Sequence, residues 1–104
     1  MGYDVKLVDP VSERVLQLEE LKAEFNITCN YKEHFVRTLG EKGVRAIYGM
    51  TGAASLPILD NAINQLKENV DDNYWAPTEG NAKRALLCLK ILAEKLPNGI
   101  WQGN

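Results

Sequence analysis

Asn26-Ile27-Thr28-Cys29-Asn30-Tyr31 is the stretch on which the fold turns, because it reads as two structures sharing one residue. Phe25, Ile27 and Cys29 alternate with Asn26, Thr28 and Asn30, the period-two pattern of a half-buried strand. Asn30 then has the chemistry of a helix N-cap, with Glu33 three positions on to complete a capping box. The segment closes a strand block and opens a helical one. Its polar face, Asn26, Thr28 and Asn30, carries neutral donors and acceptors about 6.6 Å apart, a spacing that spans a nucleotide-sized ligand. Such groups suit recognition of a polar ligand or a partner's backbone and offer little for proton transfer. The plainer alternatives are an Asn30 committed to the cap and a Thr28 that is simply a solvent-facing strand residue.

Upstream, Tyr3 to Val8 alternates as a strand with Val5 and Leu7 facing one way. Asp9-Pro10-Val11-Ser12 supplies turn chemistry, and Arg14 to Leu18 is expected to return as a second strand, Leu16 and Leu18 inward. A helical stripe of Val11, Val15, Leu18 and Leu21 competes with that hairpin, and residues 19–24 read as a turn or a single helical turn. Phe25 to Asn30 is the third strand.

Downstream, Tyr31 to Leu39 is a short helix with a buried stripe of Tyr31, Phe35, Val36 and Leu39, stopped by a left-handed Gly40. Glu41 to Tyr48 adds another helical turn or two. Gly49-Met50-Thr51-Gly52 is a loop, and Ser55 is expected to cap the next helix with Pro57 in its first turn. That helix runs to about Asn69 on Leu59, Ala62, Ile63, Leu66 and Val70. Asp71 to Pro77 is a loop holding Tyr74 and Trp75, and Thr78 caps the clearest helix, ending near Leu96. Pro97-Asn98-Gly99 stops it, and Ile100-Trp101 folds back onto the core as a short tail. Strands first and helices after predict a single α+β domain, a small antiparallel sheet of about three strands packed against three to four helices.

The totals narrow the function classes. A chain of 104 residues is one domain. Twelve basic against fourteen acidic side chains leave a net charge of -2, without the basic excess of a general nucleic-acid binder. Met1-Gly2-Tyr3-Asp4 lacks a basic segment followed by an apolar run, and no uncharged apolar run reaches membrane-spanning length, so a cytosolic setting is expected. Cys29 and Cys88 share no CxxC spacing and read as small buried hydrophobes. With His34 the sole histidine, neither a zinc site nor another cofactor is expected.

Asn-Ile-Thr-x-Asn-Tyr (26–31), Tyr-Gly-Met-Thr-Gly (48–52), Ser-x-Pro (55–57), Glu-Gly-Asn-Ala-Lys (79–83) and Pro-x-Gly-Ile-Trp-x-Gly (97–103) together resemble a family of small uncharacterised proteins of bacteriophages and prophages of Gram-positive bacteria. The chain departs from that pattern between Leu18 and Phe25, where many members have a longer Gly- and His-containing connection. The resemblance carries no activity. It implies a phage-accessory setting, in the cytoplasm of a bacterial host, where small proteins act by binding host components, defence proteins and their nucleotide signals among them.

Three further positions stand beside the polar strand face. Gly49-x-x-Gly52 before a helix would leave Thr51 and Gly52 to present N–H groups to an anion, although the spacing is not a Walker A motif. Tyr74 and Trp75 before Thr78, with Glu79 and Asn81 to read a polar edge, form an aromatic corner suited to stacking a base, or else packing anchors, the role read for Trp101; Tyr31, Thr78 and Asn81 join Trp75 as ligand-binding candidates. Gly80 inside a helix start is costly, by up to about 1 kcal/mol relative to Ala, which implies close approach by another chain segment or a ligand. His34 is the one acid–base candidate and reads as polar surface or a ligand contact rather than a catalyst. The residues therefore favour a binding protein for a small phosphorylated or nucleotide ligand over two alternatives, an inhibitor or adaptor of a host protein and a small hydrolase or transferase using His34. A homo-oligomer would enclose such a ligand better than one small domain.

Overall fold

The computed structural model describes residues 2–104, and its organising element is the strand β1, Gly2–Val8. Tyr3, Val5 and Leu7 point into the core while Asp4 faces water, as the alternation predicts. β1 has only two edges, and both are taken by distant segments. Strand β4, Glu24–Thr28, runs antiparallel on one side with Tyr3 opposite Ile27 and Val5 opposite Phe25. Strand β5, Ile100–Gln102, runs antiparallel on the other with Leu7 opposite Trp101. The sheet order is β4-β1-β5. The expected tail is thus a strand, and the expected hairpin partner, Arg14 to Leu18, touches only the end of β1 through a Val8–Val15 bridge and a Leu16 N–H donated to Leu7 O. Ile27 and Trp101, both fully buried, fill the apolar face of β1 as Leu16 and Leu18, only half-buried, do not.

Gln17–Leu18 (β2) instead pairs with Leu21–Lys22 (β3) in a two-residue hairpin whose turn puts Glu19 at φ 61°. No helical turn forms over residues 19–24, because the backbone of Ala23 accepts from Leu7 N–H and donates to Leu16 O.

The junction after β4 differs from its sequence reading in a single respect that moves everything after it. The strand ends at Thr28, and Thr28 is buried with its Oγ1 accepting from Asn30 N–H at 3.3 Å. Thr28, not Asn30, caps the 3-10 turn Cys29–Tyr31, and α1, Lys32–Leu39, follows with no side-chain cap and so no Glu33 capping box. That inserted turn rotates the helix, so Phe35 and Thr38 are buried while Val36 is 37% exposed. Gly40 does end the helix, at φ +103°. A second 3-10 turn, Gly43–Ile47, buries Val44 and Ile47.

α2, Gly52–Asn64, starts four residues before the expected position, with Thr51 as its cap, Oγ1 accepting from Ala54 N–H at 3.0 Å. Ser55 is no cap. It lies buried, donating to Gly52 O at 2.7 Å and accepting from Trp101 Nε1 at 2.8 Å. Pro57 falls past the first turn, and the helix stops short of Asn69: Leu66 stays in the core but Val70 is 45% exposed. α3, Glu79–Lys95, matches its expectation, with Thr78 Oγ1 accepting from Asn81 N–H at 3.1 Å and Ala82, Ala85, Leu86, Leu89 and Ala93 buried. α2 and α3 pack on each other and on the inner face of the sheet. Among the described residues no helix is long and apolar enough to cross a membrane.

The close approach at Gly80 is to the chain itself: a Cβ there would stand 2.5 Å from both Asn69 C and Val70 N. Helix propensity alone would have Gly80→Ala gain up to about 1 kcal/mol. Backbone contact reverses the sign, and Gly80→Ala is expected to lose about 1–3 kcal/mol by overpacking, read as a lower urea midpoint at unchanged slope. A raised midpoint would mean that residues 69–70 yield freely.

Candidate functional site

The loop from Asp71 to Pro77 is built from its own side chains and then clamped from three sides. Asp71 Oδ1 accepts from Asn73 N–H at 2.7 Å, and Asn73 Oδ1 from Trp75 N–H at 3.1 Å, the local turns for which Asp and Asn are suited. From α3, the buried Asn81 accepts from Asp71 N–H at 3.0 Å and donates to Asn73 O and Ala76 O at 3.0 and 3.1 Å. From the other side, Asn30 Nδ2 donates to Trp75 O at 2.9 Å and Tyr31 OH donates to Tyr74 O. His34 Nε2 meets Pro77 O at 2.8 Å, and Arg37 meets His34 Nδ1 at 3.3 Å and Glu79 Oε1 at 3.0 Å. A carbonyl only accepts, so Nε2 carries the His34 proton and Nδ1 accepts from Arg37. Nε2 thus holds the loop and Nδ1 meets Arg37 of the same helix, so both imidazole nitrogens have partners within the chain.

Tyr74 ties the loop to the sheet. Its hydroxyl accepts from Thr28 N–H and donates to Asn26 O, both at 3.1 Å, and so satisfies the outward backbone edge of β4. The Tyr74 ring stands edge-on to Tyr31 at 5.7 Å and to Trp75 at 5.1 Å. Thr28, Asn30, Tyr31, His34, Trp75, Thr78 and Asn81 are therefore brought together at one corner, though as its scaffold. The polar strand face is not assembled: Thr28 is buried, Asn30 is turned to Trp75, and Asn26 Nδ2 donates to Asp4 Oδ1 at 2.6 Å.

Thr51 and Gly52 lie elsewhere, against the end of α3. The N–H groups of Gly52, Ala53 and Ala54 go to Gly99 O, Pro97 O and Thr51 Oγ1, so the start of α2 has no free donor there for an anion. Gly52 is required for packing, since a Cβ would sit 2.8 Å from Leu96 O.

Beside the clamped loop is a pocket of about 230 Å³. Phe25, Tyr31, Tyr74 and Ala85 give it an apolar, aromatic wall, with Asn81 and Cys88 also lining it; Asp71, Asp72 and Arg84, all exposed at its rim, supply two carboxylates and a guanidinium. Burial pushes the Tyr31 hydroxyl and the Cys88 thiol above their ordinary values, Arg84 opposing both. Cys88 is thus a neutral thiol near pH 7, a weak nucleophile. Sequence reading found Tyr31, Tyr74 and Asn81 but missed Phe25, Asp71, Asp72, Arg84 and Cys88, taking the first as a strand residue, the aspartates as turn formers and Arg84 as facing water. One signal was present: Asn81, Ala85 and Cys88 recur at i, i+4 and i+7, a single stripe of α3. Among the described residues no three His, Cys, Asp or Glu side chains are grouped as metal ligands.

Tyr74→Phe keeps the ring and removes the hydroxyl, so it should cost about 1 kcal/mol and speed hydrogen exchange selectively at the Thr28 amide. An unchanged Thr28 rate would show that the hydroxyl does not guard the strand edge. Glu79 is held below the ordinary glutamate value by the Arg37 guanidinium foremost and by Lys67 N–H. Its folded value is depressed, so its contribution is complete at neutral pH and lost as pH falls from about 4.3 through the folded value. Glu79→Gln should flatten the acid limb of a Tm-against-pH curve in that window and nowhere else.

The chain matches no protein-family model, no curated protein and no solved structure, so the chemistry of the pocket carries the functional reading.

Proposed function

We propose that this chain is a non-enzymatic binding protein of phage-accessory type that takes the base end of a nucleotide-type ligand into the aromatic pocket. The observation that supports this most is the pocket's division into an aromatic wall and a charged rim. A flat ring finds Phe25, Tyr31 and Tyr74 to pack on, and aromatic stacking of a base is worth about 1–3 kcal/mol. Asp71 and Asp72 are acceptors for ribose hydroxyls or exocyclic amines, and Arg84 is the partner for a phosphate oxygen. At about 230 Å³ the pocket is smaller than the roughly 300 Å³ at which drug-sized sites begin, so it holds one base and its sugar rather than a whole dinucleotide. Two carboxylates against one guanidinium disfavour polyphosphates and favour a monophosphate, a phosphodiester or an ADP-ribose type of ligand. The engaged nitrogens of His34 and the neutral Cys88 thiol fit retention without turnover. In a bacterial host, retention of a nucleotide immune signal would lower its free concentration, an anti-defence effect requiring no catalysis.

The second reading is a protein inhibitor or adaptor, favoured by Trp75, which is 57% exposed next to a half-exposed Tyr74. Aromatic anchors of this kind carry much of the energy of protein interfaces.

A thermal-shift panel of nucleoside monophosphates, cyclic dinucleotides, ADP-ribose and triphosphates separates the two. Ligand at a hundred times its Kd should add about 2.7 kcal/mol, a Tm rise of roughly 10–20 °C for a domain of this size. The rise should shrink in Arg84→Ala and Asp72→Asn. A panel without any shift sinks the pocket reading, and binding to a purified host protein that Trp75→Ala abolishes would establish the second.

A further inference from the structure

We propose that this chain pairs with a second copy of itself through the outward face of α3, the two helices running antiparallel about a two-fold axis. Arg84, Leu87, Ile91 and Glu94 are all exposed and recur at steps of three, four and three, the spacing of a helix–helix seam. Leu87 and Ile91, at its centre, are 36% and 53% exposed, whereas the buried face of α3 already meets the core.

The charges at the ends of the seam identify the occupant. An isologous contact requires a patch that complements its own two-fold image. With the axis at the level of Leu89, each residue faces the one equally far beyond it: Leu87 meets Ile91 of the second copy, and Arg84 meets Glu94 of the second copy. A stripe that reads cationic, apolar, apolar, acidic is its own complement when reversed. The other charges of the helix make the point by contrast. Glu79, Lys83 and Lys90 have partners within the chain, in Arg37, Glu68 and Asp60, while Arg84, Glu94 and the terminal Lys95 form no ion pair among the described residues, and of these three Arg84 and Glu94 lie on the stripe. Shape agrees with charge. A depression of about 270 Å³ lies beside Leu87, lined also by the half-exposed Val70, the buried Gly80, Arg84 and the Lys83–Glu68 pair, and the Leu87-to-Ile91 register brings Ile91 of the second copy against it.

The seam is short, about 15 Å of helix between its end residues, so the pair dissociates on dilution through the micromolar range. It stands independently of the ligand reading, although Arg84 borders both surfaces. A guanidinium has five N–H donors, enough to face a carboxylate on one edge and the pocket on the other.

Sedimentation velocity of the full chain from micromolar to near-millimolar concentration tests the pairing, with circular dichroism confirming the fold of each variant. The wild type should pass from monomer to dimer. Arg84→Glu or Glu94→Arg alone sets like charges opposite each other twice per dimer and should raise the dissociation constant about tenfold. The double reversal should restore it, and Ile91→Asp should leave a monomer. A wild type that remains monomeric throughout, a dimer indifferent to both single reversals, or a double reversal no tighter than either single one overturns the proposal. Because Glu94 does not line the pocket, Glu94→Arg should lose pairing and keep any ligand shift, so failure of one reading is distinguishable from failure of the other.

Discussion

The indole of Trp101 is the contact on which the arrangement depends. It is fully buried, its Nε1 donates to Ser55 Oγ in the core of α2, and its backbone donates to Met50 O and accepts from Gly49 N–H. One residue near the carboxyl end thus fixes the second edge of β1, the start of α2 and the turn between the helices. Burial of so large a ring outweighs any single hydrogen bond, since complete removal of a buried aromatic side chain costs about 3–5 kcal/mol against roughly 1 kcal/mol for a typical bond. The indole N–H adds direction: with Ser55 beside it, a buried donor is satisfied in this register and would be orphaned in a shifted one.

A corresponding lock sits at the opposite edge of the sheet. Among the described residues no strand completes β4 there, and the Tyr74 hydroxyl serves Asn26 O and Thr28 N–H in its place. Tyr74 can do so because Asn81, Asn30 and Tyr31 hold the loop backbone on either side of it. The one wall residue that lies on the loop, Tyr74, is consequently held by hydrogen bonds from both sides, so a ligand of the proposed kind would meet a prearranged ring. Preorganisation of that kind removes part of the ordering cost that binding would otherwise carry.

What was legible in the sequence is what local chemistry decides. Thr78 and the apolar stripe of α3 need nothing beyond their neighbours, and Gly40 needs only its own backbone. Trp101 was readable as an anchor because so large a ring seldom stays out of a core. Asn30, Ser55 and the partner of β1 were misread for a common reason. Each had a sound local role, as cap, cap and hairpin strand, and each was overruled by a residue dozens of positions away: Trp75 O draws Asn30, Trp101 Nε1 draws Ser55, and Trp101 itself displaces the hairpin from β1. Gly80 shows the boundary between the two cases. Its position in a helix start announced a close approach, while the identity of the neighbour, the Asn69–Val70 backbone, required the fold. The pocket was harder still, because aspartates in a turn and an arginine on a helix have good solvent-facing explanations until an aromatic wall is placed beside them.

The two guarded edges also bear on how the protein can meet others. A partner adding a strand needs a row of free backbone donors and acceptors. β5 offers none toward Gly49–Thr51, where its backbone is already bonded, and β4 is closed at Asn26 and Thr28 by Tyr74. Natural sheets limit edge pairing in this way. What the fold leaves accessible is side chain rather than backbone: the aromatic pocket with its charged rim, the exposed Trp75, and the outer stripe of α3. Of these, only the pocket is both concave and lined by rings as well as charges, the combination on which the proposed small-ligand reading rests.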